Sequence, residues 1–345
     1  MNGTIYSHIA GGAANEISLA LNRESFDQCL IYNRVFRDFS EAHTQQHFFK
    51  DSTLAFDLPH PILLAPVAYQ KLVHPEGELA TALAADATDT TMICSTLSSY
   101  TLEDIAKTAA HSKWFQLYFQ NEKTHSLQLV KRAEAAGYKT IVITADASIQ
   151  GLHNRAQRAG FKLPSDVQAA NLLGQPPSEP ITLSASQSDI FHGVMANAPS
   201  WQDIVWLRSQ TDLPIFIKGI SHPEDASKGL SCGVNGFIIS NHGGRSLDTL
   251  PPPLLSLPAI RQTVGNAVPI LIDGGIQRGS DVFKAIAMGA NAVLIGRPQL
   301  YALHTAGALG VAHMLKLLRQ EFEQTMALAG CRSIDEITEH CVFRR

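Results

Sequence analysis

Residues 240–248 read Ser-Asn-His-Gly-Gly-Arg-Ser-Leu-Asp and directly follow the apolar run Gly236-Phe237-Ile238-Ile239. A buried strand that runs into such a segment looks built for chemistry. Two adjacent glycines let the backbone pass close to a ligand. His242 can accept a proton near neutral pH. Arg245 carries a planar fork that holds a carboxylate through two hydrogen bonds.

Polar residues stand at the ends of other apolar runs in the same way. They are Ser95, Gln116 with Tyr118, Thr144 with Asp146, Lys218, Asp273-Gly274-Gly275 and Gly296-Arg297, with Ala65-Pro66-Val67-Ala68 after the first run. Lysine is seldom buried without a partner. Lys218 therefore either reaches solvent from the strand end or sets its ammonium beside a cofactor atom that becomes negative on reduction. Asp146 either caps a loop or helix or pairs with His242 and orients its ring. Tyr118 shares a strand face with Gln116 and points either into the core or to its mouth. Glycine amides together with Arg297 suit a phosphate, although a tight turn also accounts for Gly274-Gly275.

The elements that must position these residues repeat. Apolar runs at 62–66, 92–95, 115–119, 140–145, 214–218, 236–240, 269–273 and 292–296 are continuous rather than alternating, as parallel strands covered on both faces require. Amphipathic helices are expected between them at 76–86, 102–110, 125–136, 201–211, 224–230, 254–263 and 280–288. Gly137 and Gly289 stand in helix-stop positions. Eight strand–helix units predict an α/β fold of the (β/α)8 TIM-barrel type, with the strand-end residues converging on one face. A doubly wound sheet would place an early glycine-rich turn after its first strand, and Ala65-Pro66-Val67-Ala68 occupies that place. The expected layout is one domain over 1–345: an N-terminal, partly helical cover at 1–61, a barrel over 62–330 and a closing helix at 309–329. About 70 residues separate strands four and five, which predicts a lid-like loop at 147–199.

Composition narrows the function. With 345 residues, 45% hydrophobic content and a net charge of −4, a large core is available and nucleic-acid binding is not indicated. No apolar run approaches a bilayer span. The five cysteines form no CxxC pair, and residues 1–8 lack a signal-peptide layout. A cytoplasmic protein with free thiols is expected.

The segment at 240–248, with His74-Pro75-Glu76-Gly77-Glu78, Phe115-Gln116-Leu117-Tyr118, Ile217-Lys218-Gly219, Asp273-Gly274-Gly275, Ile295-Gly296-Arg297-Pro298 and 326–331, closely resembles the FMN-dependent 2-hydroxy-acid oxidases and dehydrogenases. The resemblance runs along nearly the whole chain. It implies FMN lined by Pro66, Val67, Ala68, Ser95, Gln116, Thr144, Lys218 and Ser240, with its ribityl and phosphate held by Asp273, Gly274, Gly275, Gly296 and Arg297. It also implies His242 as base, Asp146 as its partner, Tyr118 at the substrate hydroxyl and Arg245 as carboxylate clamp. Oxygen or another external acceptor would take the electrons, and a homotetramer is the family's common assembly.

The substrate end departs from the pattern. His8 stands where the family has a tyrosine, His153 where it has a second carboxylate-binding arginine, and Gln277 where Asp-Gly-Gly-x-Arg has its arginine. Arg155 and Arg278 lie close enough in sequence to be candidate replacements. The expected activity is oxidation of an (S)-2-hydroxy acid to a 2-oxo acid. Three alternatives stay open: the same chemistry on a bulky hydroxy acid, a peptide or an amine; a flavin-dependent isomerase; and a flavin-binding protein without turnover.

Overall fold

The eight apolar runs pair edge to edge into a closed parallel barrel in a computed structural model that describes residues 1–49, 55–109, 113–175 and 182–344. The strands are β1 (Ile62–Leu64), β2 (Met92–Ser95), β3 (Lys113–Leu117), β4 (Thr140–Thr144), β5 (Ile215–Ile220), β6 (Gly236–Ile239), β7 (Ile270–Ile272) and β8 (Ala292–Ile295). Each neighbours the next in chain order, and β8 closes onto β1 with Val293 opposite Ile62. All start and end within two residues of the expected bounds.

Strand periodicity builds two layers inside the barrel. Ile93, Trp114, Val142, Phe216, Ile238 and Leu271 point inward and form an apolar floor. Two residues further along, on the same strand faces, stand Ser95, Gln116, Thr144, Lys218, Ser240 and Asp273. The barrel is thus dry below and polar above. A hairpin of Gln46–Phe48 and Phe56–Leu58 seals the lower end, where Phe56 stacks on Phe48 and meets Trp114 edge-on.

The helices are α1 (Gly3–Ala10), α2 (Ile17–Asp27), α3 (Gly77–Asp86), α4 (Leu102–Thr108), α5 (Lys123–Ala135), α6 (Asn154–Arg158), α7 (Trp201–Arg208), α8 (Pro223–Ser231), α9 (Pro253–Val264), α10 (Gly279–Ala287) and α11 (Arg297–Ala329). The N-terminal segment does not act as one cover. Its hairpin lies at the floor, whereas α1 and α2 carry His8, Ile9, Asn22 and Arg23 to the opposite mouth.

The closing helix also differs from expectation. It starts at Arg297, directly after β8, and breaks at Ala306 and Gly307, where φ of −153° and +57° leaves the helical region. Near the end of the chain, Val342–Arg344 pairs antiparallel with Cys29–Ile31, a contact no local pattern announces. The long connection after β4 holds α6 and two short helical turns; residues 176–181 within it lie outside the described residues, as does Ala110 at the end of one expected helix.

Candidate active site

A cavity of about 770 Å³ opens at the C-terminal ends of the strands, within the usual range for small-molecule and cofactor sites. His242, Asp146, Tyr118, Lys218, Arg245, His153 and His8 all face it, as do Pro66, Val67, Ala68, Ser95, Thr144, Asp273, Gly274, Gly275, Gln277, Gly296 and Arg297. Two expected wall residues do not. Gln116 and Ser240 are buried in the polar layer beneath, where they hold their neighbours: Gln116 accepts from Ser95 Oγ at 3.1 Å, and Ser240 Oγ accepts from Lys218 Nζ at 2.8 Å.

The backbone around His242 is unusual. His242, Gly243 and Gly244 have φ of +57°, +64° and +74°, the left-handed region that a histidine adopts at a cost. Gly244 has no choice of side chain: a Cβ there would sit 2.6 Å from the Leu19 amide nitrogen. The tight path aims His242 back across the barrel mouth, and its Nδ1 lies 3.0 Å from Asp146 Oδ1. Asp146 reaches this position through Gly219, where a Cβ would stand 2.5 Å from its Cγ. Burial pushes the Asp146 carboxyl up, but His242 and Lys218 outweigh it and hold it below the ordinary carboxylate range. The anion is maintained beside the imidazole.

Lys218 is fully buried and tied to Asp273 Oδ2 at 2.9 Å and Ser240 Oγ at 2.8 Å. Burial disfavours its charge, yet Asp273 and Asp146 keep the ammonium above its ordinary range. Ser240 Oγ also accepts the His242 amide at 2.9 Å, so one hydroxyl links the lysine to the catalytic segment. Burial raises the Tyr118 phenol to about 12 despite Lys218, which keeps it a hydrogen-bond donor.

The arginines are anchored by the start of the chain. Arg245 Nη1 donates to the carbonyls of His8 and Gly11 at 2.7 and 2.8 Å. Arg297 donates to those of Ile9, Gly11 and Gly243, each at 2.9 Å. Burial and Arg297 lower Arg245 to about 10, so it remains charged at neutral pH. The His8 ring stacks on Phe161 at 3.9 Å; burial, then Arg245 and His153, push it down to about 4. His153 Nε2 lies 2.9 Å from the Arg245 carbonyl oxygen.

The two candidate replacement arginines are engaged elsewhere. Arg155 is exposed, pairs with Glu16 and is not part of the cavity wall. Arg278 is exposed and reaches Glu321 at 3.8 Å. The cation near the glycine pair is instead Arg23, which donates to the Gly275 carbonyl and to Asp281. Its neighbour Asn22 exchanges two side-chain hydrogen bonds with Asn241. Neither residue was foreseen; their only signal is a polar pair on an otherwise ordinary helix.

The site has the chemistry of a polar, carbonyl- and hydroxyl-bearing cofactor. Gln116 Nε2 is a buried donor, and Asp273 Oδ1 a buried acceptor, without a hydrogen-bond partner in the protein. Flavin carbonyls and ribityl hydroxyls satisfy groups of those two kinds. Gly296 leads into the amino end of α11, and helix amino ends favour anions. A parallel barrel with a His–Asp pair, a buried lysine and an arginine at one polar cavity defines a flavin-dependent oxidoreductase of hydroxy acids.

The chain belongs to the FMN-dependent dehydrogenase family, which it matches over residues 1–344. It is 50% identical over 333 residues to an L-lactate oxidase of Alicycliphilus denitrificans, covering 96% of this chain and 90% of that one. It is 39% identical over 335 residues to glycolate oxidase 3 of Arabidopsis thaliana, covering 97% and 90%. A crystal structure of mandelate oxidase with benzoyl-formic acid superposes with a TM-score of 0.88 at 38% identity, covering 100% of this chain and 94% of the other. The protein is an FMN-dependent enzyme that oxidises a 2-hydroxy acid.

Proposed function

We propose that the substrate is a short (S)-2-hydroxy acid of the L-lactate type, oxidised to its 2-oxo acid. The observation that carries this reading is the His242–Asp146 pair, 3.0 Å apart, facing the same cavity as Arg245 and Lys218. Arg245 binds the substrate carboxylate and sets the α-carbon beside His242. Tyr118 donates to the hydroxyl oxygen. His242 takes a proton as two electrons leave the α-carbon, and Asp146 stabilises the imidazolium that forms. FMN, when bound, supplies the two-electron acceptor. Pro66, Val67, Ala68, Ser95, Gln116, Thr144, Lys218 and Ser240 would surround or support its ring, with Lys218 supplying positive charge. Asp273, Gly274, Gly275, Gln277, Gly296 and Arg297 would hold its ribityl chain and phosphate.

Molecular oxygen is the proposed final acceptor, in keeping with the oxidases among the relatives. We further propose a single working domain in which residues 147–175 and 182–199 cover the mouth, a cytoplasmic location and a homotetramer. Among the described residues, no helix is long and apolar enough to cross a membrane.

A second reading, a bulkier or differently anchored substrate, is favoured by His153 and His8 at the carboxylate end. Anaerobic mixing of the holoenzyme with L-lactate, glycolate and mandelate separates the two. Rapid bleaching of the flavin by L-lactate is the expected result. Bleaching by mandelate alone selects the second reading, and no bleaching by any 2-hydroxy acid removes both.

A further inference from the structure

We infer that His153 determines specificity by making carboxylate binding proton-coupled: the substrate's carboxylate enters together with a proton that His153 takes up on Nδ1. The inference rests on reading the bound group as a 2-hydroxy acid.

The geometry starts from the Arg245 carbonyl, which can only accept. Its oxygen lies 2.9 Å from His153 Nε2, so Nε2 carries the hydrogen in either charge state. In the neutral ring Nδ1 is then a bare lone pair. A carboxylate is also acceptor-only, so the two repel unless Nδ1 gains a proton. Once it does, His153 supplies a second charge-assisted donor in the cavity that Arg245 also lines.

Other cations at the cavity are committed. Lys218 pairs with Asp273, Arg23 with Asp281, and Arg297 spends three donors on backbone carbonyls. The groups facing His153 are His8 from α1, His242 and Arg245 after β6, and Arg297 at the start of α11. Arg155, two residues along its own segment, is neutralised by Glu16. Burial, with the nearby Arg245 and His242, lowers His153 below its ordinary range despite the Arg245 carbonyl. The free site therefore holds a neutral ring at neutral pH, ready to gain a proton when an anion arrives. His8 does not compete for it: among the described residues its ring has no such carbonyl partner, and burial, with Arg245 and His153, holds it at about 4.

The sign follows from linkage. Above the free-state value of His153, each bound carboxylate brings in one proton from solvent, so affinity falls with rising pH by up to about tenfold per unit. An uncharged carboxamide escapes this dependence. Its oxygen accepts from Arg245 while its NH2 donates to the Nδ1 lone pair.

The test uses the oxidised holoenzyme with two unreactive ligands, pyruvate and pyruvamide. Calorimetry in two buffers of different ionisation enthalpy counts protons taken up per ligand bound, and flavin absorbance gives Kd from pH 6 to 9. Pyruvate should bring in about one proton and weaken as pH rises; pyruvamide should do neither. His153→Arg, with a fixed charge, should bind pyruvate without this uptake and with a flatter pH profile. His153→Gln, which keeps a donor for the Arg245 carbonyl, should bind pyruvate weakly throughout, also without uptake. His242 is common to all three proteins, and His153→Gln, which places no new charge beside it, gives the uptake that remains without His153. A pH-independent Kd in the unmodified enzyme overturns the inference. Equal proton uptake in His153→Arg does so as well, by placing the proton elsewhere. If no 2-hydroxy acid reduces the flavin of the same preparation, the substrate reading itself fails, which is a different result from pyruvate binding without a proton.

Discussion

Replacing Asp146 with asparagine isolates one electrostatic contact in the proposed reaction. The change preserves shape, and Gly219 still leaves room for the side chain, since only the charge is removed. The carboxylate lies 3.0 Å from His242 Nδ1 and its side chain is 8% exposed, against 29% for the histidine. Two unit charges at that separation interact by about 5 kcal/mol at an effective dielectric of 20. A hydrogen bond to a charged group is worth about 1.5–3 kcal/mol net. The imidazolium exists only once the proton has moved, so the loss falls on the transition state rather than on substrate binding. About 3 kcal/mol, or roughly a hundredfold in the rate of flavin reduction, is expected. Stopped-flow reduction by L-lactate under anaerobic conditions measures it, and Kd for pyruvate supplies the binding control. A loss of less than about fivefold, or one confined to Kd, would refute the assignment of Asp146 as the charge that stabilises His242.

Three further outcomes follow from the same geometry. Gly219→Ala should mimic Asp146→Asn in reduction rate, because its Cβ would stand 2.5 Å from the Asp146 carboxyl carbon; unchanged kinetics would mean the aspartate moves without consequence. Lys218→Met leaves Asp273 buried without its cation, so thermal unfolding should show a loss of about 3–5 kcal/mol together with weakened FMN binding; an unchanged midpoint would contradict the pairing. His60, buried at the barrel floor with Nδ1 accepting from the Ile62 amide, is lowered from 6.5 to about 4, chiefly by burial and then by Arg319. The unfolded chain binds that proton first, so stability is complete above pH 6.5 and falls as pH drops toward 4, by roughly 3 kcal/mol for this group. Urea unfolding at pH 7 and pH 5 should show about 2 kcal/mol of this drop, and His60→Gln should reduce the difference.

The barrel was legible because each strand is buried on both faces and so reads as an unbroken apolar run. The strand-end polar residues were legible for a related reason: Ser95, Gln116, Thr144, Lys218, Ser240 and Asp273 each stand two residues beyond a core position. Depth was harder to read. Gln116 and Ser240 share that strand face with wall residues but lie just beneath them, with Ser240 Oγ engaged by Lys218 and Gln116 Oε1 by Ser95, while Gln116 Nε2 stays unpartnered. Non-local contacts left little local trace. Arg23 approaches the glycine pair only because α2 packs across the mouth, and Val342–Arg344 finds Cys29–Ile31 from the other end of the chain. The first third of α11 was hidden by Gly296 and by the break at Gly307, which divide one helix into what reads as a loop followed by a shorter helix.

The carbonyls of residues 8, 9 and 11 hold Arg245 and Arg297 although more than two hundred positions separate them in the chain. The barrel supplies the His242–Asp146 pair and the buried lysine, but a short strip at the start of the chain fixes the two arginines that face the same cavity. Evolution can therefore retune what this enzyme accepts by exchanging a few early residues, His8 among them, while the strands that carry His242, Asp146 and Lys218 stay untouched. For a designer, the same strip is a small cassette, provided that Ile9 stays in the core and the backbone that holds the two arginines keeps its path.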